Sequence, residues 1–345
     1  MRIKKKSFGT LSNGKRASLY TISNGTMSFS VTDYGCIITS IELPSKDGSV
    51  EDVALGYSTL EGYTRNNCFF GCIVGRFANR IAGAKFELSG KTWQLDANEN
   101  GNCLHSGKKG YHKMLWKAEP YRNARETGIA FRRRSPAGEQ GFPGTLELKV
   151  TYGLTADNDI AIRYYAKTDA PTPVSLTNHT YFNLAGHDAG SVFDHQVQLF
   201  CDRYVPVDSR AIPTGEILAV EGTPFDFRTP KPIGKDYAAS NGGYDHNWAV
   251  NRGGESPYPV AGVYDPKSGR SLTVYSTQPG VQFYTGNFLN NLQGKDGAVY
   301  ANNGGFCLET QHFPDAPNRP QFPDSILKPG ERYREETIWH FDFDE

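Results

Sequence analysis

Apolar residues in this chain recur at every second position over short runs, and no segment offers a long stripe at the three- and four-residue spacing of an amphipathic helix. Met27-Ser28-Phe29-Ser30-Val31 alternates apolar and polar without a break, as a half-buried strand does when one face is packed and the other is wet. The same reasoning predicts strands over residues 36–43, 145–152, 159–167, 196–201, 271–275, 306–311 and 335–343. Asp47-Gly48, Ser89-Gly90 and Ser268-Gly269 supply turn signals between such runs. The composition fits this reading, with 37 Gly and 20 Pro for turns and 19 Tyr and 20 Phe suited to strands. The proline-rich stretch 314–323 reads as an ordered loop because aromatics lie within and beside it. At roughly 150 residues per domain the 345 residues admit two domains. No repeat, low-complexity tract or composition break divides them, so the expectation is a single all-β domain over 1–345, built of stacked antiparallel sheets.

Charge narrows the partners. Lys plus Arg and Asp plus Glu both number 37, for a formal net charge of zero. No overall basic field draws in nucleic acid or an anionic membrane. The start, Met1-Arg2-Ile3-Lys4-Lys5-Lys6, is followed by polar residues rather than an apolar stretch, and no apolar run reaches about 18 residues. Neither a secretory signal nor a membrane span is expected. Six cysteines are scattered, several in apolar runs such as Cys68-Phe69-Phe70-Gly71-Cys72, without the clustering that zinc requires. They read as buried free thiols in a cytoplasmic protein.

Several motifs fail. Gly90-Lys91-Thr92 resembles the end of a phosphate loop, but the earlier glycine would fall at Lys85. No GxSxG or HExxH occurs. Arg132-Arg133-Arg134 reads as a solvated strand edge or loop.

Six other segments carry chemistry-bearing side chains. If residues 173–184 form a strand, Ser175, Thr177, His179, Tyr181 and Asn183 share one face. A solvent-facing strand and the floor of a polar cleft both account for that ladder. In residues 305–314, Phe306 and Leu308 point one way and Cys307, Glu309 and Gln311 the other. Glu309 is then either a partly desolvated carboxylate, suited to proton transfer, or a salt-bridged edge residue. Arg76, Asn79 and Arg80 sit in Gly75-Arg76-Phe77-Ala78-Asn79-Arg80-Ile81. Their arginines could grip hydroxyls or a carboxylate, or form structural ion pairs. His105 lies beside a glycine turn, and Asp245 stands near Trp248 in an expected loop. Such an acid beside an aromatic platform suits a sugar, though a plain turn Asp also fits. Gln282 belongs to Gln278–Phe288, a segment dense in amides and aromatics. Together these residues offer neutral donors, few cations, one candidate acid and one candidate base. That mixture suits an uncharged polyhydroxyl ligand better than a phosphate.

Read in order, Gly75–Ile81, Asn102–Gly107, Thr177–Leu184, Tyr244–Asn247, Pro279–Asn287 and Leu308–Gln311 resemble the blocks of the aldose 1-epimerase (galactose mutarotase) family. The resemblance implies a large antiparallel β-sandwich and interconversion of the α and β anomers of a free hexose, with no cofactor and no metal. It implies Glu309 as general base and His179 as general acid. It further implies Arg80, His105 and Asp245 as substrate-binding residues, with Asn79, Tyr181 and Gln282 beside them. The expected partner is a small monosaccharide, with no nucleic acid and no membrane, and the chain a monomer or homodimer. Rival readings are a hexose 6-phosphate epimerase, which needs a cationic cluster for the phosphate, a non-catalytic sugar-binding protein on the same scaffold, and a glycoside hydrolase pairing Asp245 with Glu309.

Overall fold

The computed structural model describes residues 1–65, 68–254 and 256–344. The architecture is almost wholly β, with one short α-helix, Leu60–Arg65, among the described residues. The first five strands form an antiparallel sheet in chain order from Arg2–Thr10 to Val50–Asp52. A nine-stranded sheet follows, with Glu126–Ser135, Leu146–Thr155, Asp159–Thr168 and the last strand, Tyr333–Phe343, as consecutive neighbours. A second five-stranded sheet contains Arg203–Val205, Asp245–Ala249, Gly280–Tyr284 and Cys307–Gln311 side by side.

Alternation explains how these layers pack. One face of the nine-stranded sheet places Leu148, Val150, Ile160, Ile162 and Trp339 in an apolar cluster. The same cluster receives Phe29, Val31 and Ile41 from the first sheet and Trp248, Val281 and Phe283 from the other five-stranded sheet. This is the large antiparallel sandwich that the resemblance implied. Each of the strand runs predicted from residue 36 onward contains a strand within a few residues of its expected bounds. The three turn signals lie where strands reverse, with Gly48, Gly90 and Gly269 in the left-handed region. Residues 314–323 are ordered around a short 3₁₀ turn, with Phe313 packed on Phe322.

Three expectations need correction. The strand Ser28–Thr32 is buried on both faces rather than half wet. Its small hydroxyls are paired internally: Ser30 with the Thr21 hydroxyl at 2.8 Å, and Ser28 donating to Glu42 at 2.7 Å. Residues 173–184 do not form one strand. Pro173 ends a two-residue ladder with Ile326–Leu327, Thr177–Asn178 pairs with Ile73–Val74, and isolated bridges hold Ser175 and Phe182. Arg132-Arg133-Arg134 lies on the second strand of the nine-stranded sheet, not on an edge, where Arg132 and Arg133 pair with Glu119 and Glu139. Five of the six cysteines are buried as expected, whereas Cys68 is only half-buried, and no disulfide joins cysteines among the described residues. Among the described residues no helix is long and apolar enough to cross a membrane.

Candidate active site

Register sets the floor of the cleft. Asp245 lies opposite Tyr284, Asn247 opposite Gln282, and Gln282 opposite Glu309. Period-two alternation therefore puts Asp245, Asn247, Gln282, Tyr284, Cys307 and Glu309 on one face, while Trp248, Phe283 and Leu308 point into the core. Asp245 sits in a strand rather than the expected loop, and Trp248 is not its aromatic platform. The aromatic rings around the cleft are instead those of Phe69, Tyr181, Tyr284 and Phe288.

The short ladder at Thr177–Asn178 carries His179 over this floor. The His179 N–H donates to the Cys72 carbonyl at 2.9 Å, and the Gly71 N–H donates to the His179 carbonyl at 2.9 Å. The imidazole stacks between Phe69 and Tyr181, both with interplanar angles of 20°. Its Nε2 stands 3.6 Å from Glu309 Oε1, and its Nδ1 stands 3.5 Å from Cys307 Sγ. Only 4% of His179 and 2% of Glu309 is exposed. Of the polar series from Ser175 to Asn183, His179 and Tyr181 border the cleft, while Ser175, Thr177 and Asn183 are buried away from it and none faces open solvent.

A second short ladder, Arg80–Ile81 with Cys103–Leu104, supplies the opposite wall. The Asn79 N–H donates to His105 Nδ1 at 3.1 Å, and the His105 N–H donates to the Asn79 carbonyl at 3.0 Å. Arg80 donates two bonds of 2.7 Å to Glu99 and lies 3.6 Å from Asp245. Asp245 accepts a bond of 2.7 Å from Gln282 Nε2. The cavity enclosed is about 270 Å³. Glu309, His179, Asn79, Arg80, His105, Tyr181 and Asp245 all border it, whereas Gln282 braces Asp245 from behind. Arg76 turns away: its buried guanidinium donates to the Pro143 and Gly144 carbonyls and to Ser135 Oγ, a structural anchor. Glu99, Phe69 and Cys307 belong to the assembly but were not among the predicted site residues.

Burial controls the protons. It pushes the Glu309 carboxyl well above the usual carboxylate range; the nearby Asp245 charge adds to this and Arg80 opposes it. Burial also pulls His179 down to about 4 and His105 well below its ordinary value. The 3.6 Å separation is that of an ion pair, yet burial favours carboxylic acid beside neutral imidazole. The two descriptions contain the same number of protons and differ only in which atom holds the shared one.

His105, His179 and Glu309 bring ligand-capable atoms within 4.8 Å of one another, so a metal must be weighed. Because His105 Nδ1 accepts the Asn79 N–H, the neutral ring carries its proton on Nε2, which is then a donor. A metal-bound imidazole needs a bare nitrogen and donates through the other one. The donor set does not fit a metal ion. A phosphate fits no better. Among the described residues lining the cavity, Arg80 is the only Lys or Arg, and it is already engaged by two carboxylates.

A family model described as aldose 1-epimerase matches residues 18–340. The chain belongs to the aldose 1-epimerase family. It is 44% identical to a galactose mutarotase from Rattus norvegicus, covering 97% of each chain. It is 37% identical to an aldose 1-epimerase from Escherichia coli, covering 95% of this chain and 96% of that one. Among solved structures, an aldose epimerase homologue from C. elegans superposes with a TM-score of 0.86 at 30% identity, over 93% of this chain and 98% of that one. A galactose 1-epimerase from Lactobacillus acidophilus also gives 0.86, at 27% identity, over 99% and 98%. The aldose 1-epimerase fold thus spans nearly the whole chain.

Proposed function

We infer that this protein is an aldose 1-epimerase that interconverts the α and β anomers of free aldoses such as galactose and glucose by acid–base ring opening and reclosure. The observation that carries the reading is a buried carboxyl and imidazole 3.6 Å apart, opening onto a cavity otherwise lined by neutral or mutually paired groups. Moving one proton from Glu309 Oε1 to His179 Nε2 produces the carboxylate and imidazolium without exchange with solvent. Glu309 then removes the proton from the anomeric hydroxyl while His179 protonates the ring oxygen. The bond between C1 and the ring oxygen breaks, giving an open-chain aldehyde. Rotation about C1–C2 presents the other carbonyl face, and the same transfers in reverse close the ring. Each group must give and take a proton in every turnover, so a pair sharing one proton between two sites suits the task. His105, with Nε2–H as donor, and Arg80 and Asp245 hold the remaining hydroxyls. The C1–oxygen bond that opens is the one that re-forms, with no net oxidation or group transfer, so the steps need no cofactor. We read residues 1–345 as one domain, because a single apolar cluster runs from Tyr20 to Phe341.

The test is mutarotation of fresh α-D-galactose followed by polarimetry. Glu309→Gln and His179→Asn should each lower kcat by about 10²–10⁴-fold, the usual worth of acid–base assistance. Activity close to wild type in either variant removes that residue from its role. A change confined to KM for His179→Asn assigns it to binding instead.

A further inference from the structure

The strand Cys307–Gln311 presents two side chains to one imidazole. Cys307 and Glu309 are two residues apart on the same face, hence about 7 Å apart along the strand. The His179 ring fills the gap, with Nδ1 3.5 Å from the sulfur and Nε2 3.6 Å from the carboxyl. Cys307 is fully buried and does not border the sugar cavity, so it is neither nucleophile nor ligand. Burial, with Glu309 nearby, drives its thiol well above the ordinary value, so it stays S–H. A thiol can donate or accept weakly, and the two choices have opposite consequences. If S–H donates to Nδ1, the neutral ring holds its proton on Nε2 and cannot take another from Glu309. If Nδ1–H donates to sulfur, Nε2 is bare, takes a proton from Glu309 and delivers it to the sugar.

We propose that Cys307 is a positioning residue whose sulfur accepts the Nδ1–H of His179, so that Nε2 is the one atom of that ring through which protons pass. This rests on the acid–base reading above. His105, whose Nδ1 accepts from the Asn79 backbone, is fixed in the opposite tautomer. The cleft therefore holds one imidazole as a constant donor and one as a proton carrier.

Nitrogen NMR of the full-length, unliganded protein with labelled histidine tests this near pH 7, with signals assigned by His179→Asn and His105→Asn. The expected spectrum shows Nδ1–H for His179 and Nε2–H for His105. Cys307→Ala should let His179 populate both tautomers and lower kcat about three- to tenfold with little change in KM, in proportion to the fraction of the ring left in the competent form. Cys307→Ser, which restores an acceptor, should recover the Nδ1–H form and most of the turnover. An Nε2–H signal for His179 in the wild-type protein overturns the proposal without recourse to any variant. So does an alanine variant with lowered turnover and an unchanged tautomer, since that is a packing effect. Turnover retained by His179→Asn would sink the acid–base reading itself, whatever tautomer the wild-type spectrum reveals.

Discussion

Arg80 is held from two sides. Glu99 takes two of its donors at 2.7 Å, and Asp245 stands 3.6 Å from the remaining nitrogen. Bidentate pairing fixes the plane of the guanidinium and lowers the conformational entropy lost when sugar binds. Glu99→Gln keeps the shape but removes the charge, leaving Arg80 to swing toward Asp245. Steady-state polarimetry should show KM raised about three- to tenfold with kcat nearly unchanged, the pattern of lost positioning in the ground state. Glu99 was not legible in the sequence. It lies in Asn98-Glu99-Asn100, which reads as a polar surface turn. A tight backbone bridge between Glu99 and Asn102 shapes the turn, and the pairing of Cys103–Leu104 with the distant Arg80–Ile81 brings it to Arg80, a placement without a local signal. Glu309 was legible because alternation within a single strand separates it from Phe306 and Leu308.

At the scale of elements, the placement of His179 depends on the turn through Gly71. That glycine has φ +65°, its N–H anchors the His179 carbonyl, and an added Cβ would lie 2.0 Å from the Ile38 carbonyl oxygen. Gly71→Ala should therefore cost more than about 2 kcal/mol, because strain at positive φ adds to a backbone clash. Gly90→Ala is the control: it has φ +73° with nothing within 4 Å of the new carbon, and so isolates the backbone term. Urea unfolding of both variants separates the two contributions, and a Gly71→Ala loss no larger than that of Gly90→Ala would show that the clash relaxes freely. Sheet strands were easy to read from the sequence because ladders of four or more residues, from Gln196–Leu199 to Leu146–Thr155, enforce alternation along the strand. The strand considered for residues 173–184 does not run through the segment, because the ladder at Thr177–Asn178 is only two residues long. Ser175 and Phe182 are then fixed by isolated bridges to Phe77, Ala54 and Phe306, which impose no periodicity.

For the whole molecule, buried imidazoles set the response to acid. His179, His195 and His312 are pulled down to about 4 by burial, His112 to about 3, and His105 well below 6.5. Each folded value lies below the unfolded one. The unfolded chain therefore binds protons first as pH falls below 6.5, and stability drops until the folded groups titrate. Denaturation across pH 7 to 4 should show a loss approaching about 1.4 kcal/mol per pH unit for each histidine still neutral in the native state. Glu309 acts in the opposite sense. Its raised folded value keeps a proton that the unfolded chain releases above 4.5, so its contribution declines as pH rises. A stability curve flat between pH 7 and 4 would contradict these buried neutral rings. The cavity has one more consequence at this scale. Its walls come from chain as far apart as Cys68 and Glu309, stretches with no reason to meet in the unfolded state. A bound sugar would act as a removable tie between them, strengthening the fold by RT ln(1 + [L]/Kd). Cellular sugar supply would then govern how long the protein lasts as well as how fast it works.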